Sequence, residues 1–199
     1  MFRHPALCAI GLCLLAVGGC EQREPSLPAP THSSTQAAAS AGSPDVAAFR
    51  EAALKGDLKA VRKAVESKVD VNAADEDGRT ALMLAAFDGH TPVVKFLLEH
   101  GARCDARDST RRTALLYAAS GPNLETVKAL LDAGADINAI DGGEGFSALM
   151  FAAAEGHIDV VRELLARGAD KTLVDVDGDT AQHFAHQKGH REIVDLLGP

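Results

Sequence analysis

Hydrophobic and polar residues fall into three regimes along the chain. An apolar run extends from Ala6 to Val17 behind Arg3, and residues 21 to 44 carry Pro25, Pro28, Pro30 and Pro44 among Ser, Thr and Ala without hydrophobic periodicity. From Asp45 onward the pattern repeats itself. Thr80-Ala81-Leu82, Thr113-Ala114-Leu115, Ser147-Ala148-Leu149 and Thr180-Ala181 recur at spacings of 33, 34 and 33. Each precedes an alanine-rich helical turn: Leu84-Ala85-Ala86, Tyr117-Ala118-Ala119, Phe151-Ala152-Ala153 and Phe184-Ala185. Gly89-His90, Gly156-His157 and Gly189-His190 follow, then a second apolar helix such as Val93-Val94-Lys95-Phe96-Leu97-Leu98, then a stop at Gly101, Gly134 or Gly168. A fixed period of this length outranks any element-by-element reading and predicts stacked helix–turn–helix units.

The residues carry the physics of such a unit. Thr or Ser ahead of the alanine-rich segment caps a helix, because its hydroxyl accepts from the free amides of the first turn. Glycine after the second helix tolerates the left-handed conformation that ends it. Small alanines at matching positions let neighbouring helices approach closely. Neither helix can bury its apolar face alone, so stability comes from stacking. The end units read as caps and the array as complete. Glu51 and Lys63 take the places of Leu84 and Phe96 in the first unit, and Gln182 and His186 those of Leu82 and Ala86 in the last.

Period and contents resemble the ankyrin repeat in register over residues 45–199. The resemblance implies an all-α ankyrin-repeat solenoid with β-hairpin-like finger loops and five repeats, including two capping units. Their approximate bounds are 45–74, 75–107, 108–140, 141–174 and 175–199. The sequence departs from the family pattern in places. The family's Thr-Pro-Leu-His becomes Thr-Ala-Leu-Met at Met83, with Leu116 and Met150 in the next two repeats, which predicts somewhat weaker repeats. Only His183 keeps the imidazole expected to bond the capping threonine. Arg111 stands where Gly78 and Gly178 stand in other fingers, and Lys68 where the second helix normally stops at glycine; both predict strain or an altered turn. Gly121-Pro122-Asn123 replaces Gly-His, and the finger Asp141-Gly142-Gly143-Glu144-Gly145 carries one extra residue.

The N-terminus changes the setting. Its apolar run is short for a permanent membrane span and reads as a secretory signal over residues 1–19. Val17-Gly18-Gly19-Cys20 resembles the lipobox of bacterial lipoproteins, with the small residues giving a peptidase access to the bond before a lipidated Cys20. Acylation contributes about 0.8 kcal/mol per buried CH₂, so multiple chains anchor firmly. Glu21, rather than aspartate, at the next position favours the outer membrane over the inner, facing the periplasm. Residues 20–44 then form the lipidated cysteine and a flexible tether, whose 24 residues span about 27 Å as a coil or roughly 75 Å in polyproline II. Cleavage removes Cys8 and Cys13, so with Cys20 lipidated Cys104 is the last free thiol and no intramolecular disulfide is expected.

Composition narrows the function. The chain is 46% hydrophobic but only 4% aromatic, with no tryptophan, which fits close-packed short helices. Its formal charge of −8 would become −9 once Arg3 is removed, and general nucleic-acid binding would work against that repulsion.

No active site is legible. His183, His186 and His190 have a spacing compatible with a metal, yet His183 and His190 match structural histidines of the resembled family, and no further ligand supports a site. Asp175-Val176-Asp177-Gly178-Asp179 has its glycine fourth rather than sixth and lacks the calcium-loop glutamate. Gly142-Gly143-Glu144-Gly145 lacks the Lys-Ser/Thr of a phosphate loop. Ser147 lies outside Gly-x-Ser-x-Gly and serves as a helix cap. Cys104 reads as a buried or half-buried thiol. The expectation is a non-enzyme with no cofactor and no metal.

The ankyrin resemblance implies a scaffold that binds a protein through finger tips and the concave face of the first helices. Carried over by position, the binding residues are Arg79, Phe87, Asp88, Arg112, Ser120, Phe146, Glu155, Asp179 and Lys188. Ala154 and Gln187 lie beside them, and Leu54 and Lys55 are the first-repeat counterparts. Phe87 and Phe146 stand out as candidate anchors, because exposed aromatics near arginine are frequent hot spots. Their alternative is burial against a neighbouring finger. The reading is a monomeric, envelope-anchored scaffold. Resemblance to other bacterial ankyrin proteins implies two versions, immunity against a periplasm-acting toxin and support of a peroxide-defence enzyme. A metal-dependent or redox role for the C-terminal histidines or Cys104 is the competing class.

Overall fold

The computed structural model describes residues 44–198; the signal segment, Cys20 and the tether through residue 43 lie outside the described residues. Among the described residues, ten helices follow one another in pairs. The first helix of each repeat is α1 (Pro44–Leu54), α3 (Ala81–Phe87), α5 (Ala114–Ala119), α7 (Ala148–Glu155) and α9 (Ala181–Lys188). The second is α2 (Leu58–Glu66), α4 (Thr91–Glu99), α6 (Leu124–Asp132), α8 (Ile158–Ala166) and α10 (Arg191–Leu197). The first helices pack side by side in one row, the second helices form another, and each pair closes on itself. α1 opens at Pro44, the residue assigned by sequence to the end of the tether.

Local chemistry starts each first helix. Thr80, Thr113, Ser147 and Thr180 sit in extended conformation, and their hydroxyls accept from the amides of Met83, Leu116, Met150 and His183 at 3.3–3.4 Å. Such a cap is worth about 1 kcal/mol. The methionines do more than replace histidine. Met83 Sδ accepts the Thr80 amide at 3.5 Å and Met150 Sδ the Ser147 amide at 3.4 Å, closing the capping box with sulfur. In these two repeats a second orphan amide is thereby satisfied, a contact the expectation of weaker repeats did not include, while Leu116 makes none. His183 departs from expectation too: its ring Nδ1 pairs with Asp179 Oδ1 at 2.5 Å, and only its backbone amide meets Thr180.

Burial follows the repeat. Leu82, Leu115 and Leu149 on the first helices and Val61, Val94, Val127 and Val161 on the second are at most 1% exposed, in one continuous core running through every repeat. Alanines 85, 86, 118, 119, 152 and 153 fill the interface between first helices at zero exposure, where a larger side chain would separate the row.

Polar side chains lock the repeats together at one recurring position. His90 Nε2 donates to the Leu54 carbonyl at 2.9 Å, His157 to that of Ser120 at 3.2 Å, and His190 to that of Ala154 at 3.1 Å. Asn123 fills the same place in the third repeat, its amide donating to the Phe87 carbonyl at 3.1 Å and the Ala86 carbonyl at 3.4 Å. Gly-Pro-Asn thus preserves the register. The bonds to Leu54, Phe87, Ser120 and Ala154 satisfy carbonyls at the ends of first helices, while Ala86 O also accepts the Gly89 amide at 3.2 Å.

Fingers connect the repeats on one side. Asp75, Asp108, Asp141 and Asp175 each fold the loop over their own carboxylate, which accepts two later amides of the same finger at 2.8–3.1 Å. The fourth finger absorbs its extra residue by closing Asp141 N to Phe146 O, five residues on, where the others close four residues on. Successive fingers are joined by backbone bonds, Ser109 N to Asp77 O at 2.7 Å, Gly142 N to Thr110 O at 2.7 Å and Val176 N to Glu144 O at 2.9 Å. Lys68 and Arg111 adopt φ of 63° and 61°, the left-handed region. That conformation costs a side-chain-bearing residue about 1 kcal/mol. Nothing in the structure explains the lysine.

Candidate protein-interaction face

Every residue that faces the open side between the fingers and the first helices is set by repeat position. Finger bases carry Arg79, Arg112, Phe146 and Asp179; the middle of the first helices carries Leu84, Tyr117, Phe151 and Phe184; the helix ends carry Phe87, Ser120, Ala154 and Gln187.

Aromatic rings on this face fall into two groups, Phe87 with Tyr117 and Phe146 with Phe151 and Phe184. Phe87 is 52% exposed and stands edge-on to Tyr117 with centroids 6.1 Å apart. Phe146 lies 5.3 Å from Phe151 and 4.8 Å from Phe184 and is half-buried against the core. The two candidate anchors therefore differ: Phe146 bridges the rings of two successive first helices, whereas Phe87 has one ring neighbour. Tyr117, Phe151 and Phe184 are functional candidates that position-by-position transfer from the family missed. They were detectable as a column of Glu51, Leu84, Tyr117, Phe151 and Phe184, one per repeat.

The charged groups differ in how far they are satisfied. Arg79 is held by Asp75 at 2.9 Å and Asp77 at 3.1 Å. Arg112 lies 5.2 Å above the Phe151 ring and 3.6 Å from Asp141 Oδ2, too long for a hydrogen bond, and its buried Nε has no hydrogen-bond partner. The side chain as a whole is 40% exposed, so part of it remains open to solvent. Tyr117 donates to Asp108 Oδ2 at 2.6 Å. Burial and that carboxylate push the Tyr117 phenol up to about 12, so it stays neutral. Burial alone would raise the Asp108 carboxyl, yet hydrogen bonds from Tyr117, Thr110 and the Arg112 amide outweigh it and hold the group below its usual range.

The remaining candidates are placed as follows. Asp88 caps the end of α3 and is exposed, as are Glu155 at the end of α7 and Lys188 at the end of α9. Ser120, half-buried, donates to the Tyr117 carbonyl at 2.8 Å, and Asp179 faces His183. Leu54 and Lys55 are exposed at the end of α1, where Lys55 pairs with Glu51 at 2.5 Å. Cys20 lies outside the described residues.

Other chemistry is not assembled. Among the described residues, no group of three His, Cys, Asp or Glu is placed to hold a metal. Asp175, the start of the calcium-like run, directs its carboxylate to its own finger amides. Cys104 is half-buried, with Sγ 3.6 Å from the Ala133 carbonyl. Among the described residues no helix is long and apolar enough to cross a membrane.

Paired helices stacked in register, joined by short fingers and exposing one aromatic face, define a helical repeat solenoid. A family model for ankyrin repeats matches residues 49–141 and 140–198. The chain belongs to the ankyrin-repeat family, whose repeats are generally protein–protein interaction modules. A comparison with curated proteins found no match.

Proposed function

We propose that this protein is a non-enzymatic scaffold, anchored in the bacterial envelope through a lipid on Cys20, that binds a partner protein with the face formed by its fingers and first helices. The exposed Phe87 ring, seated on Tyr117 within a row of aromatics, is the observation that carries the reading. An aromatic with one apolar side free gains much when a partner completes its burial. The lipobox-like Val17-Gly18-Gly19-Cys20 supports the anchor. In this reading the scaffold is a monomer on the periplasmic side of the outer membrane.

Two measurements test the two halves. Palmitate labelling should be lost in Cys20→Ala, and label persisting in that variant contradicts the anchor. Affinity capture from envelope extract should retain a protein on the wild type and on Lys95→Ala, a change on the exposed side of α4, but lose it on Phe87→Ala. Equal retention by all three contradicts the assigned face.

A further inference from the structure

The four fingers do not share one charge. Asp75, Glu76 and Asp77 against Arg79 leave the second finger at −2; Asp141 and Glu144 leave the fourth at −2; Asp175, Asp177 and Asp179 leave the fifth at −3. The third finger opposes Arg107, Arg111 and Arg112 to Asp108 alone, for +2. One cationic finger therefore stands between acidic neighbours in a chain of net charge −8.

The structure separates the roles of these arginines. Arg107 is tied to the scaffold, donating to the carbonyls of Arg111 at 3.1 Å and Ile140 at 2.9 Å. Arg112 lies over Phe151 with Asp141 at 3.6 Å, and part of its side chain is open to solvent. Arg111 is exposed, and among the described residues no carboxylate pairs with it. Its φ of 61° falls where the other fingers have Gly78, Gly145 and Gly178 at 79°, 80° and 88°. A side chain kept where glycine is easier points to a use for that side chain. Its aliphatic carbons cover Gly142, where an added Cβ would come within 2.8 Å of them, which fixes the direction of the arm.

We propose that the third finger docks an acidic segment of a partner protein, whose carboxylates engage Arg111 and Arg112 while a neighbouring apolar side chain lies against Phe87 and Tyr117. This rests on the inner-face reading above and specifies the partner's chemistry. Guanidinium forks match carboxylates in bidentate geometry. The finger is tied to the exposed aromatic through Asp108, which accepts the Tyr117 hydroxyl and the Arg112 backbone amide, with Phe87 against Tyr117, while the Arg112 guanidinium itself lies over Phe151 at 5.2 Å. A continuous anionic surface or polymer fits less well. Adjacent fingers are joined by single backbone bonds, so acidic neighbours fall within about one Debye length, roughly 8–10 Å, of the cationic finger. A local carboxylate pair brings far less negative charge to those acids, of which Asp141 already stands 3.6 Å from Arg112 Nε.

The test is selection of a random peptide library displayed on phage against the full chain in detergent micelles, followed by anisotropy titration of synthetic peptides. Peptides rich in Asp and Glu beside Leu or Phe are expected. Their affinity should fall about tenfold in Arg111→Gly and in Arg112→Gln, the loss of a charge-assisted hydrogen bond, and should weaken with added salt. Arg111→Gly keeps folding separate from binding, because glycine relieves the backbone and should raise the unfolding midpoint by roughly 2–4 °C. Peptides without acidic residues, weakened by Phe87→Ala alone, would overturn the acidic docking and leave the inner face standing. Binding indifferent to all three variants would overturn both. Arg111-dependent binding to phosphatidylglycerol vesicles with no selected peptide would replace the acidic segment with a lipid surface.

Discussion

Phe87 and Phe146 both lie on the inner face, one at a helix end and one at a finger base, and the structure uses them differently. Phe87 ends a first helix and keeps 52% of its surface in solvent beside a single ring, Tyr117. Phe146 sits at a finger base, half-buried, and touches rings on two successive first helices. The next repeat supplies a ring to each, Tyr117 to Phe87 and Phe184 to Phe146. What differs is the same repeat: Phe146 also meets Phe151, whereas the repeat of Phe87 carries Leu84 at that position, and Asn123 bonds the Phe87 carbonyl and not its ring. An exposed position in a repeat family is therefore a property of two adjacent repeats and not of one.

The largest expected effect calibrates both residues. Leu97 has no exposure, and Leu97→Ala should destabilise the domain by about 2–5 kcal/mol through the cavity it leaves. Denaturant unfolding measures this, and any loss of binding should follow the loss of structure. Phe146→Ala should lose less, about 1–2 kcal/mol, because only half of its ring is buried. A change as small as that of a surface residue would place Phe146 with Phe87. Phe87→Ala should stay within about 0.5 kcal/mol of wild type while weakening partner binding by roughly 1–4 kcal/mol, the range for hot spots. Early melting of Phe87→Ala with normal binding would reverse the comparison.

The smallest effect concerns pH around Tyr117, the ring on which Phe87 rests. Its folded pKa is raised to about 12 over an unfolded value near 10. The phenol therefore contributes stability that is fully present below about pH 10 and is lost as pH rises toward 12. Asp108 has the opposite sign. Its folded pKa is lowered, so its contribution is present above its unfolded pKa, about 4, and is lost as pH falls through the folded value. Unfolding midpoints of wild type and Tyr117→Phe across pH check both, with the alkaline loss expected to be shallower in the variant.

Much of this architecture is legible in the sequence, because the 33-residue period fixes which residues face each other before any distance is known. The caps at Thr80, Thr113, Ser147 and Thr180 and the left-handed Lys68 and Arg111 follow from single positions compared across repeats. The methionine sulfur in the capping box does not, because Met83 and Met150 read as lost histidines until the sulfur is seen within reach of a backbone amide. The stacking of Phe146 is hidden for a related reason: its partners lie five and 38 residues away, on two different helices. The charge of the third finger was present in the sequence from the start, visible only when fingers are compared with one another.

Site-specific photo-crosslinking in intact cells tests the assigned face most directly. A photoreactive phenylalanine analogue replaces Phe87 on the inner face or Lys95 on the exposed side of α4, in otherwise wild-type chains. A discrete adduct to one protein from position 87, absent from position 95, is the predicted result. Adducts from position 95 alone, or identical adducts from both, would contradict the assignment and move the binding surface to the second helices.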